Sequence, residues 1–298
     1  MITETVVTPP AGAAPVRPRR PRKLGQAGPW ARTVRYSLLL IFLIIVLIPA
    51  YVLLVTSLKP PAETNVSGAW ALPSHWTVAP WRTAWDTLRP SILRSFQLAI
   101  PAALASSLLG SANGFVLSKW KFPGADVVFT LFLFGMFIPY QAVMIPLRDV
   151  TAGLGLPQGI PTLIFVHIIY GIPICTLIFR NYYASTVPNE IIEAATVDGA
   201  GVLRSYWSVI LPVSIPGFVV TIIWQFTSIW NDYLFAIFLS NTRNGPVTIA
   251  LNALAGGQLS NYSASMAGAL ITSLPTLLVY IVLGRYFVGG LMAGSVKS

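Results

Sequence analysis

Residues 36–58 read YSLLLIFLIIVLIPAYVLLVTSL, an uncharged run of 23 residues. A helix needs about 20 mostly apolar residues to cross the ~30 Å hydrocarbon core of a bilayer, and this run is long enough. No water reaches a peptide group in hydrocarbon, so a crossing segment must close its hydrogen bonds internally, as a helix does. Pro49 lies inside the run and predicts a kink. Five further apolar stretches follow, at 94–119, 127–147, about 160–179, about 214–239 and about 264–283. Pro101, Pro139, Pro173 and Pro275 fall within them and are read as kinks rather than ends. The expected fold class is all-α, a polytopic membrane protein with six transmembrane helices.

Composition points the same way. Of 298 residues, 55% are hydrophobic and 9% charged, and the mean hydropathy is +0.71. An ordinary soluble domain carries about 25% charged residues. The formal net charge of +10 would raise the question of nucleic acid in a soluble chain. Here the positive residues flank apolar runs, which topology demands, so no nucleic-acid partner is expected. Cys175 is the only cysteine, which excludes an internal disulfide. It lies in an apolar stretch and is read as a packed thiol.

Residues 1–35 differ from the rest. They are rich in Pro, Ala and Arg, with Arg17, Arg19, Arg20, Arg22 and Lys23 close together. Such a composition builds no core and is read as a disordered basic cytoplasmic tail, leaving 36–298 as the membrane domain. The apolar run after it is too long for the h-region of a cleaved signal, and no A-x-A site follows. Residues 59–90 are polar and rich in Pro and Trp, and read as a small external loop with some helix around 81–88. One orientation places 13 of the 19 basic residues on the side of both termini and 5 on the other, with Arg94 at the boundary. The excess of Lys and Arg marks the cytoplasmic side, so both termini are expected there, in a plasma (inner) membrane protein surrounded by lipid.

Several chemistries leave no trace. The sequence contains no G-x-x-x-x-G-K-[ST] phosphate loop and no G-x-S-x-G nucleophile turn. His75 and His167 are far apart and suggest neither a metal pair nor a proton relay. Intramembrane enzymes carry ionisable pairs or His clusters within their spans, and none is evident, so no catalytic residue and no metal ligand is assigned. Asn65-Val66-Ser67 and Asn261-Tyr262-Ser263 match the glycosylation sequon, a pattern short enough to arise by chance.

Residues 187–216, VPNEIIEAATVDGAGVLRSYWSVILPVSIP, are too polar to span and too regular for a plain loop. Pro188 suits a helix start, and Glu190 and Glu193 then fall where the positive end of the helix dipole favours them. Ile191, Ala194 and Ala195 form a small apolar face at helical spacing. Gly199 stops that helix or turns the chain. A second short helix is expected over 202–209, ended by Pro212. The segment is either a loop that happens to be helical or a docking knob for a soluble partner.

Glu193-Ala194-Ala195, Gly199 and Leu211-Pro212 resemble the "EAA" box, E-A-A-x3-G-x9-I-x-L-P, of ABC importer permeases. Val209 stands where that family usually has Ile. Asp198-Gly199-Ala200 is similar to the form in the carbohydrate-type, maltose-like branch. Further resemblances are Ser57-Leu58-Lys59-Pro60, Lys119-Trp120-Lys121-Phe122-Pro123-Gly124, Ile138-Pro139 through Leu147, Leu154-Gly155-Leu156, and the C-terminal Arg285 to Lys297. The likeness covers about residues 36–298. It implies an ABC importer type I permease fold, paired with a second homologous permease subunit, two ATP-binding subunits and an extracytoplasmic substrate-binding protein. It implies that Glu190, Glu193, Ala194, Ala195, Asp198, Gly199, Leu211 and Pro212 couple to the ATPase, with the tail from Gly289 to Lys297 also touching it. It further implies that this chain binds no cofactor, ATP being hydrolysed by partners. The solute implied is a sugar or oligosaccharide, with glycerol 3-phosphate or another small polar solute as the alternative.

For the solute path the residues themselves offer Gln225, Trp230, Asn231 and Asp232 in the fifth stretch, and Gln141 beside Tyr140 in the third. Sugar sites combine aromatic faces with amides and carboxylates, and a buried charge in a span usually faces a cavity or a partner. The same residues also suit helix-packing hydrogen bonds and an interfacial aromatic belt. Gly110-x3-Gly114 is a small-x3-small pair expected to pack helices.

Overall fold

A computed structural model describes residues 29–64, 68, 70–120, 122–256 and 261–292, with 285–292 as backbone alone. Residues 1–28, the sequon at 65–67, Lys121 and the C-terminal residues 293–298 lie outside the described set. The chain divides into two units, Met1–Pro49 and Ala50–Ser298.

The first unit holds most of helix α1 (Pro29–Ser57). Residues 29–35, expected in the tail, belong to this helix. Proline is well placed in a first turn, where its missing N–H has no partner to lose, and the Thr33 hydroxyl donates to the Pro29 carbonyl (3.1 Å). Residues 38–47 are each at least half exposed and apolar on every side, the pattern of a helix in lipid.

The second unit is built on α2 (Ala79–Lys119) and α5 (Ile160–Thr186). Helix α2 begins well before residue 94, absorbing the short helix expected at 81–88. Thr77 Oγ1 accepts from the Ala79 N–H (3.1 Å), and Pro80 occupies the first turn. Where α2 meets α5 only glycine fits. A Cβ on Gly110 would sit 2.3 Å from the Cys175 Cβ, and one on Gly114 would sit 2.7 Å from the Phe179 Cβ. The small-x3-small pair therefore packs helices, as the sequence suggests, and Cys175 is fully buried there.

Two expected spans are bent or broken. The third divides into α3 (Ala125–Met136) and α4 (Tyr140–Gly153), 99° apart. Pro139 thus ends a helix rather than kinking one. It lacks the N–H that would continue α3 and drives Ile138 out of helical geometry. The fifth, expected over 214–239, is α9 (Ile215–Trp230) followed by α10 (Leu234–Leu239). The break falls at Asn231-Asp232, whose side chains bond to nearby backbone and compete with the helix: Asn231 Nδ2 donates to the Thr227 carbonyl (2.9 Å), and Asp232 accepts from the N–H groups of Phe235 and Ala236 (3.4 and 3.2 Å).

Between α5 and α9 run α6 (Asn189–Val197), α7 (Val202–Ser205), a wide π turn over Tyr206–Ile210 and α8 (Leu211–Val213). Helices α11 (Val247–Gly256) and α12 (Tyr262–Met292) complete the chain. Among the described residues, four helical stretches are long and apolar enough to cross a membrane: Pro29–Ser57, Ala79–Lys119, Ile160–Thr186 and Tyr262–Gly284. Six result when each bent pair, α3 with α4 and Val202–Val213 with α9, counts as one crossing.

Candidate functional site

The segment expected as a docking knob begins where α5 ends. Pro188 precedes α6 in extended geometry, and Glu190 and Glu193 lie exposed in its first half. The apolar face differs by one position from that expected. Ile192 and Ala195 are buried (8% exposed each), while Ile191 and Ala194 face outward. The outward face therefore carries Glu190, Ile191, Glu193, Ala194 and Val197, the last 87% exposed.

Gly199 makes the turn. Its φ is +74°, the left-handed region that costs a side chain with a Cβ. Two hydrogen bonds define the turn: Gly199 N–H to the Thr196 carbonyl (3.0 Å) and Ala200 N–H to the Ala195 carbonyl (2.9 Å). These are the paired 5→2 and 6→1 bonds of a Schellman cap. Asp198 is the C-terminal cap of the helix, immediately before the turn. The second helix is shorter than expected, because the chain widens at Tyr206–Ile210 and passes through Pro212 before bending by 79° at Ser214. A π turn frees backbone groups around a proline, which explains why Pro212 does not terminate the segment. Leu211 is half-buried against the cluster below, and Pro212 is exposed.

Beneath the two short helices lies a fixed base. Phe115, Phe179, Tyr183, Ile192, Tyr206 and Ile210 form a buried apolar cluster. Four hydroxyls thread it in one consistent direction. Tyr206 donates to Ser111 Oγ (3.1 Å), Ser111 Oγ lies 2.6 Å from the Tyr183 hydroxyl, Tyr183 lies 2.8 Å from Ser214 Oγ, and Ser214 donates to the Ile210 carbonyl (2.5 Å). The chain of bonds joins α2, α5, the π turn and the bend before α9. Lys119 adds a strap, its ammonium donating to the Val187 carbonyl (2.5 Å) and to Asn189 Oδ1 (2.9 Å). Apart from Lys119, which opens the motif Lys119–Gly124, none of these anchors stood out in the sequence. Serines and tyrosines in apolar runs carry no signal until a bend brings them together.

A second feature lies near the other end of α5. From His167 to Thr186 the helix rises about 28 Å, close to the thickness of a bilayer core. There a cavity of about 470 Å³ opens among the α3–α4 bend, α5, α9 and α10. Gln225 and Asp232, both singled out from the sequence, line it. Gln225 is buried and donates to Ser106 Oγ (3.1 Å), passing over Gly171, where a Cβ would lie 1.7 Å from its amide nitrogen. Gln141, Trp230 and Asn231 lie outside the wall. Gln141 and Asn231 are exposed, whereas Trp230 is buried, donates Nε1–H to the Thr272 carbonyl (2.9 Å) and stacks on Phe226 (centroids 5.5 Å apart). His167, which the sequence left without a role, stands 3.6 Å from Asp232 Oδ2 through Nε2. Phe235 meets the rings of His167, Tyr170 and Tyr140 at 4.9–5.5 Å. No group of three or more His, Cys, Asp or Glu suited to a metal ion occurs among the described residues.

Residues 106–291 match the model of the family described as binding-protein-dependent transport system inner membrane component. A probable ABC transporter permease protein of Pyrococcus horikoshii is 48% identical over 169 residues, 56% of this chain and 61% of that protein. The xylose/arabinose import permease protein XacI of Haloferax volcanii is 34% identical over 288 residues, covering 87% of this chain and 92% of that one. Among solved structures, a chain of a bacterial ABC transporter involved in import of the acidic polysaccharide alginate superposes with a TM-score of 0.72. That match covers 88% of this chain and 99% of the other at 22% identity, and it places this chain in the same fold. The match over 106–291 spans both the helix–Gly199 turn–helix segment and the cavity, and on it the chain belongs to the family of binding-protein-dependent transport system inner membrane components.

Proposed function

We propose that this chain is one half of the membrane pathway of a carbohydrate importer, coupled to ATP hydrolysis through residues 187–216. The observation that carries the coupling is the Gly199 turn. It holds an exposed, acidic and partly apolar helix face on a base bonded to α2, α5 and α9. In this reading Glu190, Glu193 and Ala194 meet a cleft on an ATP-binding subunit, while Ala195, Leu211 and Pro212 set the angle of the knob. Moving a two-state pore from 1:99 to 99:1 requires about 5.5 kcal/mol of differential interaction. A rigid helix pair transmits such a bias, whereas a flexible loop absorbs it.

The remaining parts follow from the same reading. A second homologous permease completes the pathway, two ATP-binding subunits sit at the coupling side, and an extracytoplasmic binding protein delivers the solute. The chain itself holds no nucleotide and performs no covalent chemistry. The tail after Gly289 reaches an ATP-binding subunit, and both termini are cytoplasmic. For the solute, the Haloferax relative, named for xylose and arabinose, supports a sugar. The relatives reported give the glycerol 3-phosphate alternative no support. The deciding experiment is uptake of labelled mono- and disaccharides and glycerol 3-phosphate by cells with and without this gene and its partner subunits. Loss of uptake of one sugar, restored by the wild type, supports the reading. Loss confined to glycerol 3-phosphate overturns its carbohydrate part.

A further inference from the structure

The geometry points to Asp232 as the solute-contacting carboxylate of the cavity, held in place by His167, and to a cavity that admits neutral polyhydroxylated solutes and rejects anionic ones. The inference rests on the sugar reading above and adds to it the charge class of the solute and the residues that set it.

Three observations converge. First, Asp232 is fixed from behind. Its two carboxylate oxygens accept N–H groups in the first turn of α10, from Phe235 and Ala236 (3.4 and 3.2 Å). The side chain is 13% exposed and lines the cavity. Second, His167 is 7% exposed, and its Nε2 has no hydrogen-bond partner while standing 3.6 Å from Asp232 Oδ2. A buried nitrogen without a partner is costly, and a hydrogen bond to the neighbouring carboxylate relieves that cost. A shift of under 1 Å brings it into hydrogen-bond range, where it orients the carboxylate that faces the solute. Third, among the described residues the wall contains no Lys or Arg, and its other polar groups are hydroxyls, an amide and an indole N–H, from Tyr140, Tyr170, Ser228, Gln225 and Trp224. Phe235, Tyr140 and Tyr170 add ring surface beside them.

A carboxylate accepts two hydroxyl hydrogens from a sugar, and aromatic rings cover its C–H face. An anion entering the same space meets Asp232 with no Lys or Arg in the wall to offset it, and His167 offsets it only when protonated. Two like charges about 4 Å apart in water-like surroundings repel enough to weaken binding by about fivefold, and by more as water is excluded. His167 therefore acts as a positioning residue and Asp232 as the residue that determines charge specificity.

The test uses the complete importer in lipid nanodiscs, without its binding protein, so that selection by the binding protein does not mask the cavity. Saturation-transfer NMR with glucose, xylose and glucuronate reads binding directly. Uptake by the same preparation in proteoliposomes, with binding protein, is read in parallel. The wild type binds a neutral sugar at least about fivefold better than glucuronate. Asp232→Asn, which keeps an oxygen to cap α10, brings that ratio towards one. His167→Leu weakens neutral-sugar binding, and His167→Gln restores part of it. Should His167→Leu fail to reach the membrane, Ser228→Trp, which fills the cavity from α9, abolishes both signals. Equal binding of glucuronate by the wild type, or an unchanged ratio in Asp232→Asn, overturns the inference. Sugar uptake without sugar binding in the cavity overturns it too, leaving the sugar reading intact. Absence of uptake for every sugar removes the sugar reading itself.

Discussion

Two glycines separate function from folding at the level of single residues. At Gly199 a Cβ would meet nothing within 4 Å, so the only cost of a side chain is its φ of +74°. That cost is about 1–2 kcal/mol for an ordinary residue and greater for a β-branched one, while Asn tolerates the geometry. Gly199→Ile is expected to lower uptake by about tenfold or more, a loss of ~1.4 kcal/mol of coupling, at unchanged abundance in the membrane. Gly199→Asn is expected to fall between, and immunoblots of membranes alongside uptake assays check both. Normal uptake by Gly199→Ile would remove the turn from the coupling machinery. Gly110 behaves in the opposite way. Its φ is unremarkable, but a Cβ there would lie 2.3 Å from the Cys175 Cβ and 2.8 Å from that residue's backbone carbon. Overpacking a tight site costs about 1–3 kcal/mol or more, so Gly110→Leu should reduce the amount of folded protein recovered by size-exclusion chromatography. Both glycines were legible in the sequence, one from the box around it and one from its spacing to Gly114. His167 was not, because a lone histidine in an apolar run carries no signal until the break at Asn231-Asp232 swings a carboxylate to within 3.6 Å of it.

For whole elements, the sequence located the apolar runs and missed their bends. A proline inside an apolar run reads the same whether the helix continues through it, as at Pro101 and Pro173, or stops, as at Pro139. What decides is whether neighbouring helices supply a bed for the straight form, and that is a tertiary property. The bend at Ser214 depends on the hydroxyl chain that runs from Tyr206 to the Ile210 carbonyl. Tyr183→Phe breaks that chain at its centre, leaving a buried donor on Ser111 and a lone pair on Ser214. The expected loss is about 1–2 kcal/mol, seen as a lower midpoint in a detergent thermal-shift assay, with an uptake defect larger than the loss of abundance. The segment after α1 offers a pH-dependent case. Glu63 accepts the Ser74 hydroxyl and the Ser74 N–H (3.0 Å), and these bonds, the hydroxyl's above all, hold its carboxyl below the ordinary value of 4.5. A depressed carboxylate stabilises the fold above its ordinary value, and that contribution is lost as the pH falls through the lowered one. Limited proteolysis between residues 59 and 78 should therefore quicken on acidification below about pH 4.5. Glu63→Gln should lose that acid dependence and be cut at one rate throughout.

Across the unit formed by Ala50–Ser298, α5 ties two ends together, with His167 and the cavity near one and the Gly199 knob beyond the other. About 28 Å of helix separates them, which is nearly the depth of the hydrocarbon core, so the proposed function places the two features at opposite surfaces of the membrane. On the orientation proposed from the 13-to-5 division of basic residues, the knob's surface is the cytoplasmic one. The sequence held the cavity only in part, through Gln225 and Asp232. The sole native cysteine allows a direct check. Cys175 is fully buried against Gly110 and Ser107, so a membrane-impermeant maleimide should leave the wild-type protein unlabelled from either side. Val197 is 87% exposed on the knob, and Trp76 is 63% exposed in the segment before α2. Trp76→Cys should label in intact cells, and Val197→Cys only after permeabilisation. Addition of the nucleotide-bound ATP-binding subunits should then slow labelling of Val197→Cys and leave Trp76→Cys unchanged, since only the first lies on the face proposed to dock. Labelling of Val197→Cys in intact cells would invert the orientation and place the knob out of reach of any ATPase.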